Sequence, residues 1–138
     1  MKNNKILFVD LDGTLIKEDL SNLAFSHSLK YYPFKTLFYL FVFLFKGKPY
    51  LKDKISKHFD IPFESLTFNK AAFDFVREVK NRHRVVYLIS GSHQILVDQV
   101  AKYLNIFFES FGTKDNFNMV GNNKVRFINE NLKILINV

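Results

Sequence analysis

An open parallel α/β sheet of the Rossmann-like type, carrying a small helical insertion, is the fold class this sequence predicts. Three observations predict it. The apolar run Ile6-Leu7-Phe8-Val9 ends in Asp10-Leu11-Asp12-Gly13. A second run, Val85-Val86-Tyr87-Leu88-Ile89, ends in Ser90-Gly91-Ser92. Between and after these runs lie stretches with apolar residues at helical spacing. Strands alternating with helices form parallel sheets, and such sheets bind ligands beyond the carboxyl ends of their strands. The polar residues ending both runs therefore belong to one crevice.

Residues 5–9 form a short, continuous apolar strand, expected at the sheet's centre with strands at 85–89 and about 134–137 on either side. A helix follows from Ser21 to Tyr32: Ser21 can cap it, Leu23, Ala24, Leu29 and Tyr32 give it an apolar face, and Pro33 ends it. Leu37 to Phe45 is unbroken and apolar. A bilayer span needs about 20 residues, so this run predicts a non-spanning helix, either buried on all sides or lying in a membrane interface. Surplus exposed apolar surface is expected, with inward packing of the rings against the core as the alternative. Lys46-Gly47-Lys48-Pro49 terminates it. Residues 50–67 hold a short helix with Ile55 and Phe59, then a loop around Pro62. Asn69 caps a helix through Asn81, with Ala72, Phe73, Val76 and Val79 on one face. Val85 to Ile89 is β-branched and buried in character. Ser90-Gly91-Ser92 turns into a helix carrying Leu96, Val100 and Leu104. Ile106-Phe107-Phe108 predicts a third strand and Ile134-Leu135-Ile136 a fourth. The expected division is a core of residues 1–18 and 71–138 and a helical cap of residues 19–70.

The 138 residues suit one modest domain. With 48% hydrophobic and 24% charged residues, the chain has the balance of a folded protein. Cysteine is absent, which excludes disulfides and thiolate metal sites. Lys2 and Lys5 precede an apolar run too short for a signal peptide. The net charge of +7 is spread along the chain without a Lys/Arg cluster, so no nucleic-acid partner is expected.

Asp10 and Asp12 stand two residues apart at a strand end, where i and i+2 side chains share a face. Paired carboxylates repel unless a cation or a proton intervenes. The pair therefore invites Mg²⁺, and it permits one carboxylate to act as nucleophile and the other as proton donor. A surface turn is the plain alternative. Ser90, with the neighbouring backbone N–H groups at a helix start, suits a phosphate oxygen; N-capping by Ser90 or Ser92 is its alternative. Lys124, in Gly121-Asn122-Asn123-Lys124, can steady developing negative charge, or is one surface lysine among many. His27, His58, His83 and His93 show no metal-ligand spacing. His83 reads as part of a polar turn, and His93 lies in the first turn of the helix after Ser90, within reach of the crevice.

The string Asp10-Leu11-Asp12-Gly13-Thr14-Leu15 behind a strand, the strand-terminal Ser90 and the Gly121-x-x-Lys124 string resemble the first three motifs of the haloacid dehalogenase superfamily. The insertion and the bend at Lys46–Pro49 narrow the likeness to the domain of that superfamily fused to UbiA-type prenyltransferases, with phosphoserine phosphatase relatives sharing the layout. The resemblance implies a Mg²⁺-dependent phosphohydrolase acting on a phosphate monoester, small or lipid-linked. Asp10 attacks phosphorus to form an aspartyl-phosphate, and Asp12 protonates the leaving group and then activates water. Ser90, Gly91 and Lys124 hold the phosphoryl group. Mg²⁺ takes a carboxylate oxygen from Asp10 and the backbone carbonyl of Asp12, and residues 19–70 cover the site. It also admits a prenyltransferase partner. The absence of cysteine fits a cytoplasmic place, and the Leu37–Phe45 run with Lys35, Lys46 and Lys48 at its ends fits a membrane surface. The superfamily's fourth, acidic motif has no counterpart after Ile136, so weak Mg²⁺ binding is expected. A truncated, non-catalytic remnant or partner-binding domain is the alternative function.

Overall fold

A computed structural model describes residues 6–82 and 84–136. His83 and residue 137 therefore lie outside the description. Three parallel strands, β1 (Leu7–Asp10), β2 (Val86–His93) and β3 (Glu109–Thr113), form one sheet in the order β1-β2-β3. Helices α1 (Leu20–Tyr31), α2 (Pro33–Lys46), α3 (Lys48–Ser56) and α4 (Lys70–Asn81) fill the crossover from β1 to β2. α5 (Gln94–Leu104) joins β2 to β3, and α6 (Asn122–Ile136) follows β3.

The strand pairs Leu7–Val86, Val9–Leu88 and Asp10–Ile89 put the carboxyl ends of β1 and β2 side by side. One face of the sheet is aliphatic: Val9, Val86 and Leu88 join Leu96, Val97 and Val100 of α5 and Val76 and Val79 of α4 in the core. The other face is aromatic. Phe8 stacks on Tyr87 at 5.2 Å, Tyr87 meets Phe111 at 5.7 Å, and Phe111 meets Phe127 of α6 at 4.9 Å. Strand alternation produces this sorting, since neighbouring side chains take opposite faces.

Two capping devices set the helix boundaries. Asn69 accepts a hydrogen bond from the Ala72 N–H and starts α4, as the sequence predicts. Asp19, not Ser21, caps α1, accepting from the Asn22 N–H. Pro33 ends α1 and opens α2 as its first residue, where its missing N–H costs nothing. Gly47, at φ 84°, turns α2 into α3. Helices α1, α2 and α3 pack on one another, and α1 and α3 also touch β2.

Three sequence expectations are corrected. Residues 134–136 are the last turn of α6 rather than a strand; Val125, Ile128, Leu132 and Leu135 repeat at intervals of three and four, the helical period. With no strand there, β2 is central and β1 is an edge among the described residues. The third strand is Glu109–Thr113, not 106–108. Ile106 and Phe107 pack against the core from the connection, and Phe108 is exposed.

β3 needs its glycine. A Cβ on Gly112 would stand 2.7 Å from the Ser92 carbonyl oxygen and 2.8 Å from Val97 Cγ2. Both neighbours are fixed by the strand and by buried packing. Gly112→Ala is expected to lower stability by about 1–3 kcal/mol, measured as the shift of the urea midpoint, with the near-ultraviolet spectrum of the aromatic face altered.

Candidate active site

The two aspartates at the end of β1 have different surroundings. Asp10 is the last residue of β1 and is partly exposed. Its Oδ1 accepts from the Leu11 N–H at 3.0 Å and from Lys124 Nζ at 2.9 Å. Among the described residues its Oδ2 takes no hydrogen bond. Asp12 lies two residues on, largely buried. Its Oδ1 accepts from the Leu20 N–H at 2.9 Å, and its Oδ2 accepts from Ser90 Oγ at 2.5 Å and Ser92 Oγ at 3.2 Å. Burial raises its pKa above the ordinary 3.8, with the Leu20 and Ser90 hydrogen bonds opposing and the charge of Asp19 adding to the rise. Gly13, at φ 74°, makes the turn between this pair and the rest of the loop.

Ser90 and Ser92 are buried in the extension of β2. Ser90 Oγ accepts from the Ser92 N–H at 3.0 Å while donating to Asp12. The sequence expectation of a tight serine turn opening a helix is corrected here. The strand runs on to His93, with its register shifted between Ile89 and His93, and α5 begins at Gln94. The cap of α5 is His93, whose Nδ1 accepts from the Ile95 N–H. Neither serine caps the helix.

Lys124 reaches Asp10 from the first turn of α6, just after Gly121 at φ 56°. Asp10, Asp12, Gly91, Ser92 and Lys124 all line one cavity of about 510 Å³. Ser90 stands behind it, reached through Asp12. His93 does not enter the crevice as the sequence suggested. Its Nε2 lies 3.4 Å from Asp53 Oδ1, and it lines a second cavity with Asp53 and Lys57. Burial lowers its pKa, against the pull of Asp53.

Several site residues escaped the sequence reading. Lys52 of α3 extends into the cavity and donates to the Gly91 carbonyl at 2.7 Å and to Asn118 Oδ1 at 2.8 Å. Burial lowers its pKa, with Asp19 opposing. Thr113 at the end of β3 donates to the same carbonyl at 2.8 Å, and accepts from the Met119 N–H at 3.0 Å. Ser21 Oγ lies 3.1 Å from Ser92 Oγ. No sequence motif marks these residues, and with the third strand expected at 106–108 the strand-end position of Thr113 is not visible either. Phe25, Leu40, Phe43, Leu51 and Ile55, from α1, α2 and α3, give the same cavity its apolar lining.

The charges in the cavity bear on a metal. Asp10, Asp12 and Asp19 face Lys48, Lys52 and Lys124, a formally neutral set. A phosphate ester would add negative charge to it, which a divalent cation would offset. Among the described residues no group of three or more His, Cys, Asp or Glu gathers to hold a metal. Mg²⁺ does not demand one, since it commonly takes one or two carboxylates together with substrate oxygens and water. The hard oxygen donors of Asp10 and of the Asp12 loop fit that ion.

Comparison with known proteins follows the same lines. A substrate-bound phosphoserine phosphatase complex superposes with a TM-score of 0.50 at 21% identity, covering 81% of this chain and 57% of that one. A phospho-aspartyl intermediate analogue of phosphoserine phosphatase gives 0.49 at 22% identity, covering 80% and 56%. The first of these likenesses is one of fold. An uncharacterized protein of Sinorhizobium fredii is 30% identical over 128 residues, which are 90% of this chain and 24% of that protein. This chain thus spans about a quarter of that relative. The model of the haloacid dehalogenase-like hydrolases matches residues 7–135, nearly the whole chain and every motif above, and the chain belongs to that family.

Proposed function

We propose that the chain is a Mg²⁺-dependent phosphohydrolase that cleaves a phosphate monoester through an aspartyl-phosphate on Asp10. One observation carries the reading: two carboxylates share a cavity with opposite environments. Asp10 is open and paired with a lysine, whereas Asp12 is buried with its pKa raised. Such a pair divides into nucleophile and acid–base.

In the first half-reaction an Asp10 oxygen attacks phosphorus and the ester P–O bond breaks. The leaving oxygen takes the proton held on Asp12. In the second, water attacks the aspartyl-phosphate while Asp12 accepts its proton, releasing phosphate and restoring both carboxyl groups. Lys124 orients Asp10 and offsets the charge that grows on the phosphoryl oxygens. Mg²⁺ held by Asp10 and the Asp12 loop would supply further positive charge to those oxygens. Ser90 and Ser92 keep Asp12 aimed at the cavity; for Ser90 to hold phosphate directly, its hydroxyl would have to leave Asp12. The helices α1, α2 and α3 act as a cap, excluding water. Their apolar wall suits an ester whose alcohol is hydrophobic, a lipid-linked phosphate among them.

A domain that binds phosphate or a partner without turnover is the second reading, favoured because among the described residues no group of three or more His, Cys, Asp or Glu gathers to hold a metal. A generic aryl phosphate with Mg²⁺ separates the two. The first reading expects measurable release of phosphate, reduced by about 10³-fold or more in Asp10→Asn. A folded protein that binds phosphate with no turnover at all supports the second. Lys124→Met is expected to lower the rate by about 10²–10³-fold, read from kcat.

Asp12→Asn provides a pH test. Because the folded protein holds the Asp12 proton more tightly than the unfolded chain, this group contributes most to stability below pH 3.8, its ordinary value. That contribution is lost as pH rises through the raised folded-state value. The variant does not titrate there. Its Tm relative to wild type is therefore expected to rise from acid to neutral pH, while its turnover is lost throughout. A Tm difference independent of pH would refute the raised pKa of Asp12.

A further inference from the structure

We propose that the outward face of α2 is a docking surface for an anionic lipid bilayer. Thr36 is the one fully buried residue of this helix, its Oγ1 lying 2.6 Å from Ser28 Oγ. Leu40 and Phe43 turn toward the active-site cavity. Six large side chains face outward: Phe34 is 86% exposed, Phe41 62%, Leu44 74% and Phe45 78%, with Leu37 and Phe38 between them, while Tyr39 and Val42 are half-buried. Positions 34, 37, 38, 41, 44 and 45 repeat at three and four residues, so they make one continuous stripe. Among the described residues nothing packs over that stripe closely enough to bury it. A contiguous patch of this kind marks an interaction surface.

The charge around the stripe selects the occupant. Between Asp19 and Asp53 the chain has no acidic residue, and besides Lys52, which is bonded inside the cavity, it has Lys30, Lys35, Lys46 and Lys48. Lys35 stands at the first turn of α2, and Lys46 and Lys48 at its end. Aromatic and aliphatic side chains with lysines at both ends of their helix match the headgroup region of an anionic bilayer. A second copy of this chain is a poor match, because a two-fold contact through the stripe would bring like charges together. The helix lies on the bilayer and does not cross it. Its 14 residues extend about 21 Å, against a hydrocarbon thickness of about 30 Å, and among the described residues no helix is long and apolar enough to span.

Co-sedimentation of the full chain with vesicles tests this without any turnover assay, so its outcome is independent of the phosphohydrolase reading. Binding is expected to vesicles of phosphatidylcholine with phosphatidylglycerol, and about tenfold or more weaker binding to phosphatidylcholine alone. It should weaken as salt rises from about 0.1 M to about 1 M, where the screening length falls from about 10 Å to about 3 Å. The double variant Phe41→Asp/Phe45→Asp should lose about tenfold or more with its circular dichroism unchanged. Lys35→Glu/Lys46→Glu, which leaves the apolar stripe intact, should lose the preference for the anionic lipid. The proposal is overturned by absent binding to the anionic vesicles, or by binding that both double variants retain in full. It is likewise overturned if the stripe instead holds a dimer in gel filtration that Phe41→Asp/Phe45→Asp dissolves while wild type ignores vesicles.

Discussion

The rest of the site depends on the carboxyl group of Asp12. A buried carboxylate without donors would cost several kcal/mol, and here three donors from two separate elements converge on it. The Leu20 N–H opens α1, and Ser90 and Ser92 belong to β2. The first helix of the insertion is therefore fastened to the central strand through one side chain of the β1 loop. Ser21, one residue into α1, meets Ser92 and strengthens the same junction. Position, protonation and the entry of the chain into α1 are set together.

Asp10 is constrained from the other side. Lys124 arrives from α6, on the far side of β3 in sequence, and its 2.9 Å contact leaves only one carboxylate oxygen unengaged. The nucleophile proposed here needs to be aimed and open, and the partly exposed Asp10, held by Lys124 through one oxygen, keeps the other free. The two aspartates differ because the sheet ends between them. Asp10 is still part of the ladder with Ile89, whereas Asp12 has folded back beneath the start of α1.

The fold class and the meeting of three polar side chains were legible in the sequence, the placing of individual strands less fully. Asp10, Asp12 and Lys124 were legible because strand ends, glycine turns and motif order are local properties, and the cavity brings them together. The cap of α4 at Asn69 was legible for the same reason. Strand identity was less so. Glu109-Ser110-Phe111-Gly112-Thr113 is a strand despite its polar residues, because Gly112 fits against Ser92 and Val97 where no side chain fits. The apolar triplet at 134–136 looked like a strand in isolation and is helical because its period extends back to Val125. Lys52 was invisible, since nothing near it in sequence hints that α3 lies over Gly91.

Lys52 also joins the helices to the sheet in a thermodynamic sense. Its ammonium group lies within the cavity but holds the Gly91 carbonyl and Asn118, so α3 is bonded to the loops at the strand ends. An anion that entered and drew this lysine away would weaken the bond between the two layers. Linkage makes the effect reciprocal: whatever free energy the anion gains from the lysine with the layers apart, the layers gain in separating when the anion is present. Occupancy of the site and the tightness of its roof are then one variable rather than two.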